Sequence, residues 1–264
     1  MNILCIGDIV GRPGREAVKY AVAKLTKEQN IDLVIANAEN ASGGSGLISK
    51  NADEIFSYGV DVITMGDHVW DKPDIIPYIQ EHQDKIVRPA NYPEGVPGVG
   101  WTIVKAANGT KVGVINLLGR TFMRYNVLCP FQALEAIVEQ IRKQTPVIIV
   151  DMHAETTSEK VALGHFADGK VSLVFGTHTH VQTADEKILS QGTAYITDLG
   201  MSGPYDSVIG QDKTKIITRF LTSMPNKFEV AQSPGTVHGV ILTVDPQTGK
   251  AEGITRLQIA HGGK

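Results

Sequence analysis

Cysteine is scarce in this sequence, with two in 264 residues. That excludes a disulfide framework, and the spacing excludes a CxxC metal cluster. Cys5 sits inside an apolar, strand-like run and Cys129 precedes a proline, so both are expected to be reduced and structural. Long hydrophobic runs are missing as well: none approaches the roughly 18 residues that a membrane span needs. The opening MNILCIGDIVG has no basic stretch followed by a long apolar one, so a cytoplasmic location away from the membrane is expected. Nor is there an excess of one charge. Lys and Arg total 25 against 28 Asp and Glu, a net charge of -3. With no basic stripe or cationic amphipathic helix, stable nucleic-acid binding is not expected.

What remains is an ordinary globular composition, 42% hydrophobic, ample for a buried core. Short runs rich in Val and Ile recur at Ile3-Ile6, Leu33-Ala38, Val60-Met65, Lys111-Leu117, Val147-Val150 and Leu173-Phe175, each short enough to be a strand covered on both faces. Between them lie stretches of helical period, such as Val18, Ala21, Val22 and Leu25, or Phe131, Leu134, Ile137 and Ile141. Pro13 and Pro130 suit helix first turns, where a missing N–H costs nothing. Strand and helix in alternation predict an α/β fold. Beyond about residue 185 the pattern favours strands at Gly192-Thr197, Lys227-Ala231, Val237-Val244 and Ala251-Ile259, the last two joined by a turn at Pro246-Gly249. Asn108-Gly109 signals a hairpin with a type I′ turn between Trp101-Ala106 and Lys111-Leu117. The Gly/Pro-rich stretch Pro89-Gly100 reads as a functional loop rather than a boundary, and one domain over 1–264 is predicted.

In open α/β sheets the ligand site forms beyond the carboxyl ends of the strands. Five apolar runs here end on metal-type ligands: ILCIGD on Asp8, LVIANAEN on Glu39 and Asn40, VITMGDH on Asp67 and His68, VIIVDMH on His153, and LVFGTHTH on His178 and His180. Any one of these could be a turn cap or a satisfied histidine. Five together point to one rim. Imidazoles mixed with carboxylates suit iron, manganese or zinc, and the absence of nearby thiolates argues for a catalytic rather than a structural site. Two residues apart on an extended segment, His178 and His180 would share a face and could serve adjacent ions.

The segments GDIVGRPGR, NAENASGGSGL, TMGDHVWD, RPANYP, HAETTSEK, GTHTHVQTAD and ITDLGMSGPYDS, in this order and spacing, closely resemble the YmdB-like bacterial metallophosphoesterases over nearly the whole chain. The resemblance implies a calcineurin-like sandwich of two mixed β-sheets flanked by helices. It also implies two metal ions, commonly iron or manganese, phosphodiesterase activity on 2′,3′- or 3′,5′-cyclic nucleotides, and assembly as a dimer or tetramer. By position, Asp8, Glu39, Asn40 and His180 would hold the first metal, and Glu39, Asp67, His153 and His178 the second, with Glu39 bridging. His68 would be the general acid toward the leaving ribose oxygen, opposite a metal-bridged hydroxide.

Two departures bear on that carry-over. Asp8-Ile9-Val10 stands where common metallophosphoesterases have Asp-x-His, and Asn40 would supply the missing ligand. Gly66-Asp67-His68 stands where the family usually has Gly-Asn-His, which places an anion at 67. That anion should tighten metal retention, raise the pKa of the attacking water and alter metal preference.

Around this set, Arg88 and Arg120 could grip a phosphate or could be plain ion-pair partners. Asp71 could orient His68, though a helix N-cap is the favoured role. His82 and His165 read as surface, Thr179 as a structural hydrogen-bonder, Gly43-Gly46 as a flexible rim loop, and the terminal HGGK as a disordered tail. Gly7, Gly11 and Gly14 are not spaced as a dinucleotide fingerprint. Two other functions fit the same residues: a metal-holding regulatory protein that binds a nucleotide or RNA with little turnover, and a phosphomonoesterase or nucleotidase.

Overall fold

In the computed structural model, which describes residues 1–261, the chain runs β1 (Asn2–Ile6), β2 (Asp8–Ile9), α1 (Gly11–Glu28), β3 (Ile31–Asn37), α2 (Ser49–Ser57), β4 (Val62–Thr64), α3 (Ile75–Glu81) and β5 (Ile86–Val87). It continues through β6 (Trp101–Lys105), β7 (Lys111–Leu118), α4 (Pro130–Ile141), β8 (Ile148–His153), α5 (Thr157–Ala167), β9 (Leu173–Thr177) and β10 (Lys187–Ile188). The last elements are β11 (Ala194–Ile196), β12 (Met201–Pro204), α6 (Lys213–Thr222), β13 (Gly235–Val244) and β14 (Ala251–Ala260).

Two mixed sheets result. The first orders its strands β2-β12-β13-β1-β3-β4-β5, with β14 paired to β13, and the second β10-β11-β9-β8-β7-β6. Side chains alternate between faces along each strand, which sorts the apolar residues into three layers. Ile3, Cys5, Leu33 and Ile35 meet Val112, Val114, Ile149 and Phe175 between the sheets. Leu4, Ile6, Val34 and Ala36 turn the other way and pack on Ala17, Val18, Ala21 and Leu25 of α1. Ile148, Val150 and Met152 likewise cover Leu134, Val138 and Leu163 of α4 and α5. Both faces of each sheet are therefore covered, which is why the strands read as continuous apolar runs. Cys5 is buried between the sheets, where burial pushes its thiol pKa upward and keeps it inert. No described helix is long and apolar enough to cross a membrane.

Three expectations need revision. Lys227-Ala231 is not a strand: it makes a single bridge, Val230 to Gln211, because no neighbouring strand lies alongside. The β6–β7 hairpin exists, but of its two turn residues only Gly109 has positive φ, at 88°. Gly109 N donates to Ala106 O and Ala106 N to Thr110 O, so the loop is three residues long with glycine in the left-handed position, not type I′. Of the HGGK tail, His261 donates its N–H to Gly235 O and sets its ring 5.3 Å from Tyr20; 262–264 lie outside the described residues.

Candidate metal centre

Parallel pairing brings the ligand-bearing strand ends to one edge. β1, β3 and β4 are parallel neighbours in the first sheet, and β7, β8 and β9 in the second. Asp8 opens β2, Glu39 and Asn40 follow β3, and Asp67 and His68 follow β4. His153 closes β8. Its register partner on β9 is Thr177, so His178 emerges one residue beyond, from the facing sheet. Gly66 marks how tightly the two groups meet: a Cβ there would lie 2.3 Å from Glu39 Oε2 and 2.4 Å from the His153 ring, so only glycine fits.

Glu39, Asp67, His153 and His178 converge, with one potential ligand atom from each within 4.8 Å of all the others. His153 Nε2 lies 2.9 Å from Glu39 Oε1 and 3.2 Å from Asp67 Oδ1, and His178 Nδ1 lies 3.0 Å from His153 Nε2. A second group adjoins it. His180 Nε2 is 3.2 Å from the Asn40 amide and 3.8 Å from Asp8 Oδ1, while Asn40 Nδ2 reaches Glu39 Oε1 at 3.3 Å. Glu39 thus touches both groups. Asn40 presents its nitrogen to His180 here; a ligand role calls for the flipped amide, with Oδ1 in that place.

The histidines are aimed from behind. His180 Nδ1 lies 3.0 Å from the carbonyl of Ile209, and His178 Nε2 lies 3.1 Å from Glu155. Both partners can only accept, so those nitrogens carry the protons. Thr177 Oγ1 donates to buried Asp151 and must accept from His153 Nδ1 at 2.8 Å. Each imidazole therefore keeps its other nitrogen turned toward the carboxylates, the arrangement of a histidine whose ring is fixed by an outer partner and whose free nitrogen can bind a metal in place of a proton. The turn holding two of them is not extended: φ is 96° at His178 and 64° at His180. Left-handed backbone at non-glycine residues costs about 1–3 kcal/mol each. It is held by Asp198, which accepts from Thr179 N and Oγ1 and from buried Lys160, whose ammonium also donates to Thr177 O. Thr179 is structural, as expected.

The donor set fits a cation. Asp8 is fully buried, and its Oδ1 has no hydrogen-bond partner among the described residues. Burial raises the Asp8 pKa, against the pull of His180 and His153. For Glu39 and Asp67 burial also pushes upward, yet the adjoining imidazoles outweigh it and hold both carboxyls below their usual range. Burial alone would lower the His153 pKa, but Glu39, Asp67 and Asp8 raise it well above the ordinary value. Carboxylates that draw a proton this strongly onto a buried imidazole would draw a metal ion to the same place.

His68 stands beside the cluster, about one-third exposed, its backbone N–H donating to Glu39 Oε2. Its Nδ1 pairs with Asp71 Oδ2 at 2.7 Å, and Ser45 Oγ donates to the same oxygen. Asp71 is therefore the partner of His68 and not a helix cap; α3 begins four residues later, after Asp74. Burial works against the charged ring, but Glu39, Asp67 and Asp71 together raise the His68 pKa, favouring a proton donor. A cavity of about 580 Å³ opens in front, lined by Glu39, Asn40, Gly43-Ser45, His68, Glu155, His178-His180, Ile209, Gln211 and Phe228.

Arg88 does not reach the site: its guanidinium is buried and donates to the carbonyls of Pro89, Pro97 and Gly98. Arg120 is exposed, and its backbone N–H donates to Glu159. His165 is exposed, and half-buried His82 stacks on Tyr78 at 3.9 Å. Gly43, Gly44 and Ser45 line the cavity. The sequence offers Asp71 as a partner of His68 only as the second choice and offers no such role for Ser45, Glu155, Thr177 or Asp198. Only their closeness in sequence to ligands marks some of them, Thr177 before His178 and Glu155 two residues after His153.

Two mixed sheets packed face to face, with carboxylates and imidazoles gathered where their strand ends meet, define the chain as a metallophosphoesterase of the calcineurin-like fold. Residues 4–257 match the model of the YmdB-like protein family, and the chain belongs to that family. A curated relative from Bacillus subtilis (strain 168), a 2′,3′-cyclic-nucleotide 2′-phosphodiesterase, is 50% identical over 98% of this chain and 97% of its own length. The crystal structure of a hypothetical protein from Thermus thermophilus superposes with a TM-score of 0.91 at 37% identity, covering 98% of this chain and 99% of that one. That of a novel phosphatase from Mycoplasma pneumoniae also gives 0.91, at 36% identity over 98% and 93%.

Proposed function

We propose that the chain is a two-metal phosphodiesterase of cyclic nucleotides, acting on 2′,3′-cyclic or 3′,5′-cyclic nucleoside monophosphates. The observation that carries this reading is the convergence of Glu39, Asp67, His153 and His178 on one point beside a cavity that also exposes His68. Asp8, Glu39, Asn40 and His180 would hold the first metal, and Glu39, Asp67, His153 and His178 the second. Iron is the first choice of metal, with manganese or another divalent ion as the alternative. Bound there, the ions supply Lewis acidity and lower the pKa of water toward neutrality. The chain's own residues do the rest. Thr177, Glu155 and Ile209 fix the imidazoles, and Asp71 keeps His68 protonated. His68 then gives its proton to the departing ribose oxygen.

The name of the Bacillus relative and its 50% identity favour the diester class. The free cysteines Cys5 and Cys129 suit the cytoplasm, and the net charge of -3 suits a small nucleotide rather than a nucleic acid. The exposed apolar stripe Ile217, Phe220, Leu221 and Met224 along and just past α6 suits a homo-oligomer, dimer or tetramer. Metal content and turnover of both cyclic nucleotide classes, compared between wild type and His68→Ala, test the reading. Loss of about 10²–10⁴ in kcat with metal retained is expected, and equal turnover by both forms would remove His68 as the acid.

A further inference from the structure

Of the residues that line the cavity, Ile209, Gln211 and Phe228 have side chains that belong to neither carboxylate–imidazole group. We propose that these three residues form the subsite for the nucleobase; the inference rests on the phosphodiesterase reading above and adds the part of the substrate that the reading leaves unplaced.

A chain of contacts ties these residues to His180. His180 Nδ1 donates to Ile209 O at 3.0 Å, Gln211 bridges Val230, and Asp212 N donates to Glu229 O, which sets Phe228 next to that bridge. Ile209 and Phe228 are 51% and 55% exposed although both border the cavity, so apolar area lies open to an occupant. Arg219 places its guanidinium carbon 4.7 Å from the centre of the Phe228 ring, a cation–π contact that covers one side of the ring. Phe228 lines the cavity and Arg219 does not. Gln211 lines the cavity and contributes a carboxamide whose Oε1 is buried without a hydrogen-bond partner among the described residues. By rotating or flipping, that group can accept from or donate to a base edge.

The chemistry matches. An aromatic ring offers a stacking face to any base, an aliphatic side chain offers apolar contact, and an amide offers a hydrogen bond of either sense. Ile209 also carries a φ of 46°, which a β-branched residue rarely adopts. The same strained residue thus presents its carbonyl to a metal-ligating histidine and its side chain to the cavity, which couples the position of the base to that of His180.

The test compares 2′,3′-cyclic AMP with the base-free diester 1-O-methylribose 2,3-cyclic phosphate, in wild type, Phe228→Ala, Phe228→Leu and Phe228→Trp, all with manganese added. The ratio of kcat/KM for the nucleotide to that for the base-free diester should fall about tenfold in Phe228→Ala, the size of one base–aromatic stack, chiefly through KM. Tryptophan should restore the ratio and leucine should not. A ratio unchanged in Phe228→Ala, or restored equally by leucine, overturns the subsite while leaving the phosphodiesterase reading in place. Wild type that turns over neither diester overturns both.

Discussion

Position 67 offers the most informative perturbation, because Asp67→Asn removes one charge and keeps an oxygen donor in almost the same volume. Asp67 Oδ1 lies 3.2 Å from His153 Nε2 and 3.5 Å from His178 Nδ1, so an ion held by those nitrogens would sit against it. A unit charge pair at about 4 Å is worth ~4 kcal/mol at an effective dielectric of about 20. Part of this is offset, since the buried carboxylate loses less hydration once it becomes an amide. A net of about 1.4–3 kcal/mol remains, equivalent to 10- to 100-fold weaker retention of the second metal. Less negative charge at the centre also leaves the attacking water more acidic. The acidic limb of the pH dependence of kcat/KM should move down by about one unit, equivalent to ~1.4 kcal/mol. Chelator-competition titration and pH–rate profiles, run on both proteins, measure the two effects. Identical metal content together with identical profiles would refute the reasoning.

Three further outcomes are expected. Glu155→Ala should free His178 Nε2 from its acceptor and weaken metal retention by about 10- to 100-fold with the fold intact; circular dichroism and metal analysis check it. Lys160→Met should leave Asp198 charged, buried and without its ammonium partner. The cost is about 3–5 kcal/mol, or a fall in Tm of about 5–15 °C by calorimetry, and an unchanged Tm would contradict the role given to this pair. Buried His238 has its pKa lowered by burial from 6.5 to about 4, with Arg256 adding to the effect. Between those values the unfolded chain binds a proton that the folded chain refuses, so stability is full above about pH 6.5 and falls as pH drops toward 4. His238→Gln should flatten that part of the Tm–pH curve.

The five strand ends that carry the candidate ligands could be read from the sequence because each combines a local signal, a short apolar run, with a polar residue at or just after its end. Parallel pairing then does what such runs imply. The outer partners could not be read in the same way, since Ile209 O or Asp198 meets the histidine turn only through the folded chain. Asp71 misled because a carboxylate near a coming helix suits a cap, whereas α3 starts late enough to leave it beside His68. β2 and β12 are two and four residues long and exist through the long-range pairing of Met201 with Asp8, so no local periodicity announces them. Lys227-Ala231 shows the reverse error: strand-like composition with no strand alongside to pair with.

Anomalous diffraction from crystals of the iron- or manganese-loaded protein would locate the proposed pair of metal ions that share Glu39. Two peaks are expected, one among Asp8, Glu39, Asn40 and His180 and the other among Glu39, Asp67, His153 and His178, with His68 bound to neither. A single peak, or His68 within bonding distance of a metal, would contradict the proposal.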